Sequence, residues 1–308
     1  MANTLSASHD VRWQWRQTTN RIMLSLCSLG ALLAVLVLGL VLVFLISRGF
    51  SSLNLNFFTK LPNHMDERAG GMSQSITGTL VLLGLASAIG LPLGILGGIY
   101  QIETRGRFGN IVRFFTDVLN GIPSIVIGIF VYAVAVAPVA LKNPGTGYSA
   151  WAGGLALGIM MVPTVMRTTE EMLRLVPFSM REASLGLGAT RWRTMWSVVL
   201  PAARGGIITG VMLALARIAG ETAPLLFTIL GNEYLATHVV HAGGLAITLP
   251  RSDAPIDALP LRIYNYATAV DENQQHLAWA GAVVLITLIL VFSILARFAT
   301  RGKVLEEK

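Results

Sequence analysis

Arg217 and Glu221 stand inside an otherwise apolar stretch, Gly205 to Leu230, of a 308-residue chain. From Gly205 to Arg217 a helix climbs about 18 Å at roughly 1.5 Å per residue, which is near the middle of a bilayer. A charge at that depth costs at least about 2.5–3.5 kcal/mol, so it must face protein interior or water. On a continuous helix, residues four apart share a face. The two can simply neutralise each other and lock helix packing. Alternatively Arg217 receives an oxyanion, because a guanidinium stays charged at any pH and donates paired hydrogen bonds. Glu221 would then hold the guanidinium when no anion is present, or accept a proton from a protonated one. Pro224 removes a backbone donor and is expected to kink the stretch.

Composition says what must surround such a pair. The chain is 54% hydrophobic and 13% charged, with 23 Lys+Arg against 16 Asp+Glu. Soluble domains carry about 25% charged residues, and disorder needs low hydrophobicity. One cysteine, Cys27, excludes a disulfide framework and a thiolate-rich zinc site. Six segments reach membrane-spanning length: Ile22–Ile46, Ile76–Tyr100, Val118–Leu141, Ser149–Met166, Gly205–Leu230 and Leu277–Ala296. Pro123, Pro138 and Pro163 interrupt the third and fourth. The first is too long for a signal-peptide core and is expected to remain as a span, with Trp13 and Trp15 near its interface.

The net charge of +7 follows from topology. Arg12, Arg16, Arg21, Arg105, Arg107, Arg113, the six arginines between Arg167 and Arg204, Arg297, Arg301, Lys303 and Lys308 fall on one side. Arg48, Lys60, Arg68, Lys142, Arg251 and Arg262 fall on the other. Sixteen against six places both termini in the cytoplasm and removes nucleic acid as a partner. Small residues recur every fourth position at Gly90, Gly94 and Gly98, at Gly154 and Gly158, and at Gly206 and Gly210. Such rows let membrane helices approach closely, although glycine is also common in membrane helices generally. The expectation is an all-α integral membrane protein of about six transmembrane helices. Its parts are a cytoplasmic tail 1–21, a first transmembrane helix 22–46, a core 73–296 containing a cytoplasmic loop 167–204, and a cytoplasmic tail 297–308.

That loop carries a basic amphipathic stretch, Met180 to Val199, with Leu187, Trp192, Met195 and Val199 at helical spacing. By periodicity alone it reads equally as an interfacial helix on anionic lipid. Its residues Glu182-Ala183-Ser184, then Gly188, Val198 and Leu200-Pro201 resemble the EAA loop of ABC importer permeases, with Ser184 and Val198 as conservative departures. The resemblance implies a type I ABC importer permease fold, in which this segment is a coupling helix between spans 4 and 5 that docks into a cytoplasmic ATPase and turns at Gly188. Glycine tolerates backbone conformations that other residues resist, and Pro201 can open the next helix, where its missing N–H is not needed. No G-x-x-x-x-G-K-[ST] phosphate loop occurs, so ATP-Mg would bind partner subunits and no cofactor would bind this chain.

Two further segments narrow the resemblance. Arg217 to Leu226 (RIAGETAPLL) and Asn120 to Gly128 (NGIPSIVIG) are similar to signatures of the A-type permease of phosphate ABC transporters. The similarity covers roughly Ser73 to Ala296. It implies a non-catalytic half-channel in a bacterial or archaeal cytoplasmic membrane, with Arg217 and Glu221 on the phosphate path; Ser124, beside the Pro123 break, either adds a hydroxyl or freed amides to that path or only packs between helices. A homologous second permease, two copies of an ATPase and a periplasmic or lipid-tethered phosphate-binding protein would complete the complex. The outward segment Gly231 to His276 would meet the binding protein. His238 and His241 lack a third ligand, so no metal is expected. The alternatives are a permease for another oxyanion or small solute, and, in a different class, a proton-coupled secondary transporter, for which an EAA loop would be unnecessary. An intramembrane enzyme lacks paired aspartates, a Ser-His dyad or a zinc motif within the spans.

Overall fold

The computed structural model describes residues 3–62, 70–104, 106–143, 146–234, 236–242 and 245–301. Arg68, Arg105, Lys303 and Lys308 of the charge count lie outside the described residues. In chain order the helices are α1 (Asn3–Gly49), α2 (Leu55–Thr59), α3 (Ser73–Glu103), α4 (Arg107–Gly121), α5 (Ser124–Val131), α6 (Ala137–Ala140), α7 (Ala150–Arg174), α8 (Phe178–Gly186), α9 (Arg191–Thr194), α10 (Leu200–Ala219), α11 (Ala223–Thr228), α12 (Leu259–Ala267) and α13 (Glu272–Arg301). π-Helical turns at Tyr132–Val136 and Met195–Val199 join α5 to α6 and α9 to α10. Strands β1 (Thr237–Ala242) and β2 (Leu245–Pro250) form an antiparallel hairpin between α11 and α12, the one departure from helix pairing in a named sheet among the described residues. His238 and His241 lie on β1, opposite Leu249 and Ala246.

Among the described residues five helices are long and apolar enough to cross a membrane, six if the bent pair of α4 with α5–α6 is counted as one span. α4 meets the α5–α6 rod at 104°. Ile122 is extended, at ψ 130°, because a residue before proline is driven out of the helical region. The expected span Val118–Leu141 therefore splits: its first residues belong to the turned α4, and only Ser124 onward forms the crossing rod. The expected span from Gly205 likewise ends at Ala219. The loop expected over 167–204 is shorter, since α7 runs on to Arg174 and the next continuous helix begins at Arg191.

α3 and α7 form the centre. A Cβ built on Gly90 would lie 2.8 Å from Met161 Cβ, one on Gly94 2.7 Å from Val165 Cβ, and one on Gly98 2.7 Å from Thr169 Cβ. From the other side, Gly154 and Gly158 meet Leu85 and Ile89. The offset between partners stays nearly constant, so the two helices run parallel with backbones almost in contact. α10 crosses α7 in the opposite sense, Gly206 against Met172 and Gly210 against Thr168. α7 is thereby largely enclosed, whereas α1 is exposed along almost its whole length and touches mainly α13, through Phe44 on Trp279 and Gly49 on the Trp279 carbonyl. The rows of small residues are the contacts that assemble the bundle.

Gly94→Leu would force α3 away from α7. Overpacking of this kind costs about 1–3 kcal/mol, and the expected outcome is a lower melting temperature and yield of purified protein, whereas Gly84→Leu, where nothing lies within 4 Å of the added Cβ, should leave both near wild type.

Candidate translocation and coupling site

Two helix breaks come together. The first is Ile122–Pro123, after which Ser124 opens α5. The second is Gly220–Thr222, between α10 and α11. α5 crosses α11 so closely that a Cβ on Gly128 would sit 2.6 Å from Pro224 Cα. The segments Asn120–Gly128 and Arg217–Leu226, far apart in sequence, thus share one contact. Pro224 does not make the kink. It occupies the first turn of α11, where a missing N–H costs little, and the interruption falls earlier, where the amides of Gly220 and Glu221 close tight turns on the Arg217 and Ile218 carbonyls at 3.3 and 3.2 Å.

The helix end separates Arg217 from Glu221. Arg217 is the last basic residue of α10 and is exposed, whereas Glu221 lies beyond the C-cap Gly220 and is half-buried. Among the described residues they form no ion pair with each other, so the shared helical face expected from their spacing is not realised. Arg217 extends an exposed row on α10, Gly205, Thr209 and Leu213, opposite the buried Ile207, Val211, Ala214 and Ile218. In the isolated chain that row has no protein over it. Ser124 is half-buried at the first turn of α5. A cavity of about 250 Å³ between α3, α10 and α13 is lined by Leu83, Met212, Leu215 and Phe292, and its Ser87 and Ser293 hydroxyls donate to their own helices. It offers an anion nothing.

The loop between α7 and α9 is built as a rigid elbow. α8 carries Glu182, Ala183 and Ser184, with Glu182 and Ala183 exposed. It ends in a left-handed cap: Gly188 has φ +86°, its amide donates to the Leu185 carbonyl at 2.9 Å, and Ala189 donates to the Ser184 carbonyl at 3.2 Å. Nothing lies within 4 Å of a Cβ added at Gly188, so the backbone conformation, and not crowding, requires glycine there. The Ser184 and Thr194 hydroxyls, 2.9 Å apart, tie α8 to α9, and Thr190 caps α9 through the Arg193 amide. Leu200 and Pro201 do not begin a helix after a loop. They sit inside one continuous helix from Arg191 to Ala219, and the π-turn Met195–Val199 just before them takes up the lost proline hydrogen bond. Leu175, Phe178 and Leu187 are 73%, 69% and 90% exposed around α8, an apolar rim on the elbow that follows α7.

The model of the family described as binding-protein-dependent transport system inner membrane component matches residues 90–303. The chain belongs to this family. It is 37% identical to the phosphate transport system permease protein PstA of Haemophilus influenzae over 97% of this chain and 100% of that protein. It is 38% identical to the PstA of Yersinia pestis over 96% and 94%, and 32% identical to a probable phosphate transport system permease protein of Methanocaldococcus jannaschii over 94% and 96%. Among solved structures, a bacterial alginate ABC transporter chain superposes with TM-score 0.60 at 14% identity, covering 93% of this chain and 96% of that one. The MetNI methionine ABC transporter gives TM-score 0.51 at 19% identity over 73% and 91%. The fold of this permease-family chain is that of type I ABC importer permeases, and the protein is a multi-pass membrane protein.

Two charge clusters of the permease escaped the sequence reading. At the hairpin end, Asp257 is fully buried and its Oδ2 accepts from Arg262 Nε at 2.7 Å and from the Ser75 hydroxyl of α3. Arg262 Nη1 reaches Glu233 at 3.2 Å. Both feet of the hairpin, Glu233 before it and Asp257 after it, are thus held by one arginine. Burial pushes the Asp257 carboxyl above its usual range, against the pull of Arg262 and Ser75. At the α8 end, Glu170 is buried among Arg113, Arg167 and Arg174. Spacing carried a signal only for the latter, since Arg167, Glu170, Glu171 and Arg174 lie three and four apart; Arg262 looked like any outward-loop cation.

Removing one member of a buried ion pair costs about 3–5 kcal/mol. Arg262→Gln should therefore lower the thermal stability of the purified protein and expose the 236–251 arm to protease, and adding Asp257→Asn should restore part of the loss, as a double-mutant cycle on the melting temperature would read.

Proposed function

We propose that this chain is the A-type permease subunit of an ATP-driven importer of inorganic phosphate. The near full-length identity to proteins named phosphate transport system permease carries the reading, and the site geometry supports it. Among the described residues Arg217 forms no ion pair, and it stands on the uncovered row of α10 at the point where the helix unwinds. An arginine left free there has its fork available to a tetrahedral oxyanion. A homologous second permease would cover the row and complete the path, so the chain supplies half of it. Glu221, two residues past the end of α10, and Ser124, at the first turn of α5, flank the route.

ATP hydrolysis belongs to partner subunits, two copies of an ABC ATPase, with ATP-Mg bound there and no cofactor on this chain. α8 docks into them by Glu182, Ala183, Ser184 and the exposed rim of Leu187. The Gly188 cap and the Ser184–Thr194 bond make α8 and the Arg191–Ala219 helix move together, so a push on α8 arrives at Arg217 along one rod that includes Leu200 and Pro201. Both termini face the cytoplasm. The hairpin and its base face outward, where a periplasmic or lipid-tethered phosphate-binding protein delivers the anion.

Arg217→Gln removes the charge and keeps the length. Charge-assisted hydrogen bonds are worth about 1.5–3 kcal/mol, so phosphate uptake into vesicles holding the whole complex should fall about tenfold to a hundredfold, with assembly intact. Normal uptake would refute the anion role, and sulfate competing as well as phosphate would point to a broader oxyanion carrier. Gly188→Val forces a branched residue into a left-handed conformation, a strain of roughly 1–3 kcal/mol. ATPase activity is expected to continue while uptake stops. Hydrolysis and uptake remaining in step in that variant would remove α8 from the coupling role.

A further inference from the structure

The carboxylate of Glu170 is 1% exposed although it lies one turn from the end of α7. Oε1 accepts hydrogen bonds from Arg113 Nη2 at 2.6 Å and from Arg174 Nη2, and Arg167 Nη1 lies 3.8 Å from Oε2. Arg167 and Arg174 belong to α7 itself, so they offset the burial of the charge without joining one element to another. Arg167 also pairs with Glu171 at 2.8 Å. Arg113 is different, because it comes from α4.

α4 has little else to hold it. Its only buried residues are Gly109 and Thr116, and it exposes Phe108, Phe114 and Phe115. Besides Arg113–Glu170, Thr116 donates to Met166 Sδ of α7 at 3.1 Å and lies 3.4 Å from Gln101 Nε2 of α3, and Phe108 meets the Tyr100 ring of α3 edge-on. Where α4 lies is thus set largely by polar links at two adjacent turns. The helix runs directly into Ile122–Pro123 and Ser124, and α5 then presses Gly128 on Pro224. On the other side, α7 leads through Leu175–Pro177 into α8, and Arg181 of α8 donates to the Leu173 carbonyl at 3.0 Å and pairs with Glu103 of α3 at 3.4 Å. Leu173 is one turn beyond Glu170.

We propose that Glu170 is a positioning residue that, through Arg113, makes α4 follow α7 and so sets the Pro123 break according to the position of α8. This rests on the coupling reading of α8 given above. The link gives α8 a second route to the anion path, independent of the Arg191–Ala219 rod. Arg113 binds through a single charged Nη2–Oε1 contact, so loss of either partner weakens the hold of α7 on α4 while α7 keeps its local arginines.

The test uses the whole complex with both permeases, the ATPases and the phosphate-binding protein in vesicles, in a Cys27→Ser background with Asn120→Cys as a reporter at the end of α4. Uptake per ATP hydrolysed and maleimide labelling at position 120 are measured with and without ATP. Glu170→Gln and Arg113→Gln are each expected to lower uptake per ATP about tenfold, to leave hydrolysis running, and to abolish the ATP-dependent change in labelling. Glu170→Asp, which keeps the charge on a shorter stem, should recover part of both. If Glu170→Gln does not assemble, Arg113→Gln decides, since Glu170 then retains Arg174 and Arg167. Unchanged uptake per ATP overturns the proposal, as does parallel loss of uptake and hydrolysis with the labelling response intact, or failure of both variants to assemble. Gly188→Val measured beside them tests the coupling reading separately: if it stays coupled while Glu170→Gln does not, the role of Gly188 is wrong and that of Glu170 stands.

Discussion

Between α3 and α7 there is no space for side chains on one of the two surfaces, because Gly90, Gly94 and Gly98 let the backbone of α3 lie against Met161, Val165 and Thr169. In hydrocarbon no hydrophobic effect pulls two apolar helices together, so close backbone approach and dispersion must do it. This contact sets the frame for the rest. The start of α7 meets the exit of α11 where Ser149 donates to the Thr228 carbonyl, and the start of α3 supplies Ser75 to Asp257. At the other end, α7 carries Glu170 and α3 carries Glu103, the two carboxylates that receive α4 and α8. Move one helix along the other by a turn and both ends lose their partners.

Within that frame the functional parts are discontinuities. Pro123 and Gly220 interrupt helices, Gly188 reverses one, and the π-turn at Met195–Val199 absorbs a proline without interrupting anything. Unwound backbone at membrane depth is tolerated only where protein or a polar path surrounds it. The Gly128–Pro224 contact provides the protein side for both breaks, and the bare row of α10 leaves the other side open.

Much of this was readable from residue types. Spans follow from the length of apolar runs, the glycine rows from their spacing of four, and the turn at Gly188 from a pattern whose only glycine is the one at positive φ in that elbow. What the sequence hid were relations between distant residues. Four-residue spacing placed Arg217 and Glu221 on one face, but the rule assumes a continuing helix, and Gly220 ends it. Pro201 looked like a helix start because prolines usually are, whereas a single extra residue in the preceding turn lets the helix pass through. Arg113 was only one cation in a charge count. Its meaning depends on Glu170, 57 residues later, and no local periodicity connects them.

The uneven enclosure of the helices has a consequence for biogenesis. The most apolar of the five long helices, α1, is the least buried, and the least apolar, α7, is the most buried. A chain enters the bilayer from its N-terminus, so α1 must rest in lipid alone until α13, its main partner, has been made. Its excess hydropathy makes that wait stable. α7 cannot wait in the same way, since its polar C-terminal turn and its glycines gain little from lipid. By the time it arrives, α3 is already present with a matching glycine surface, and α7 can leave the aqueous exit directly onto protein. Across the five long helices apolar content thus falls as enclosure by neighbours rises, from α1 and α13 at one extreme to α7 at the other.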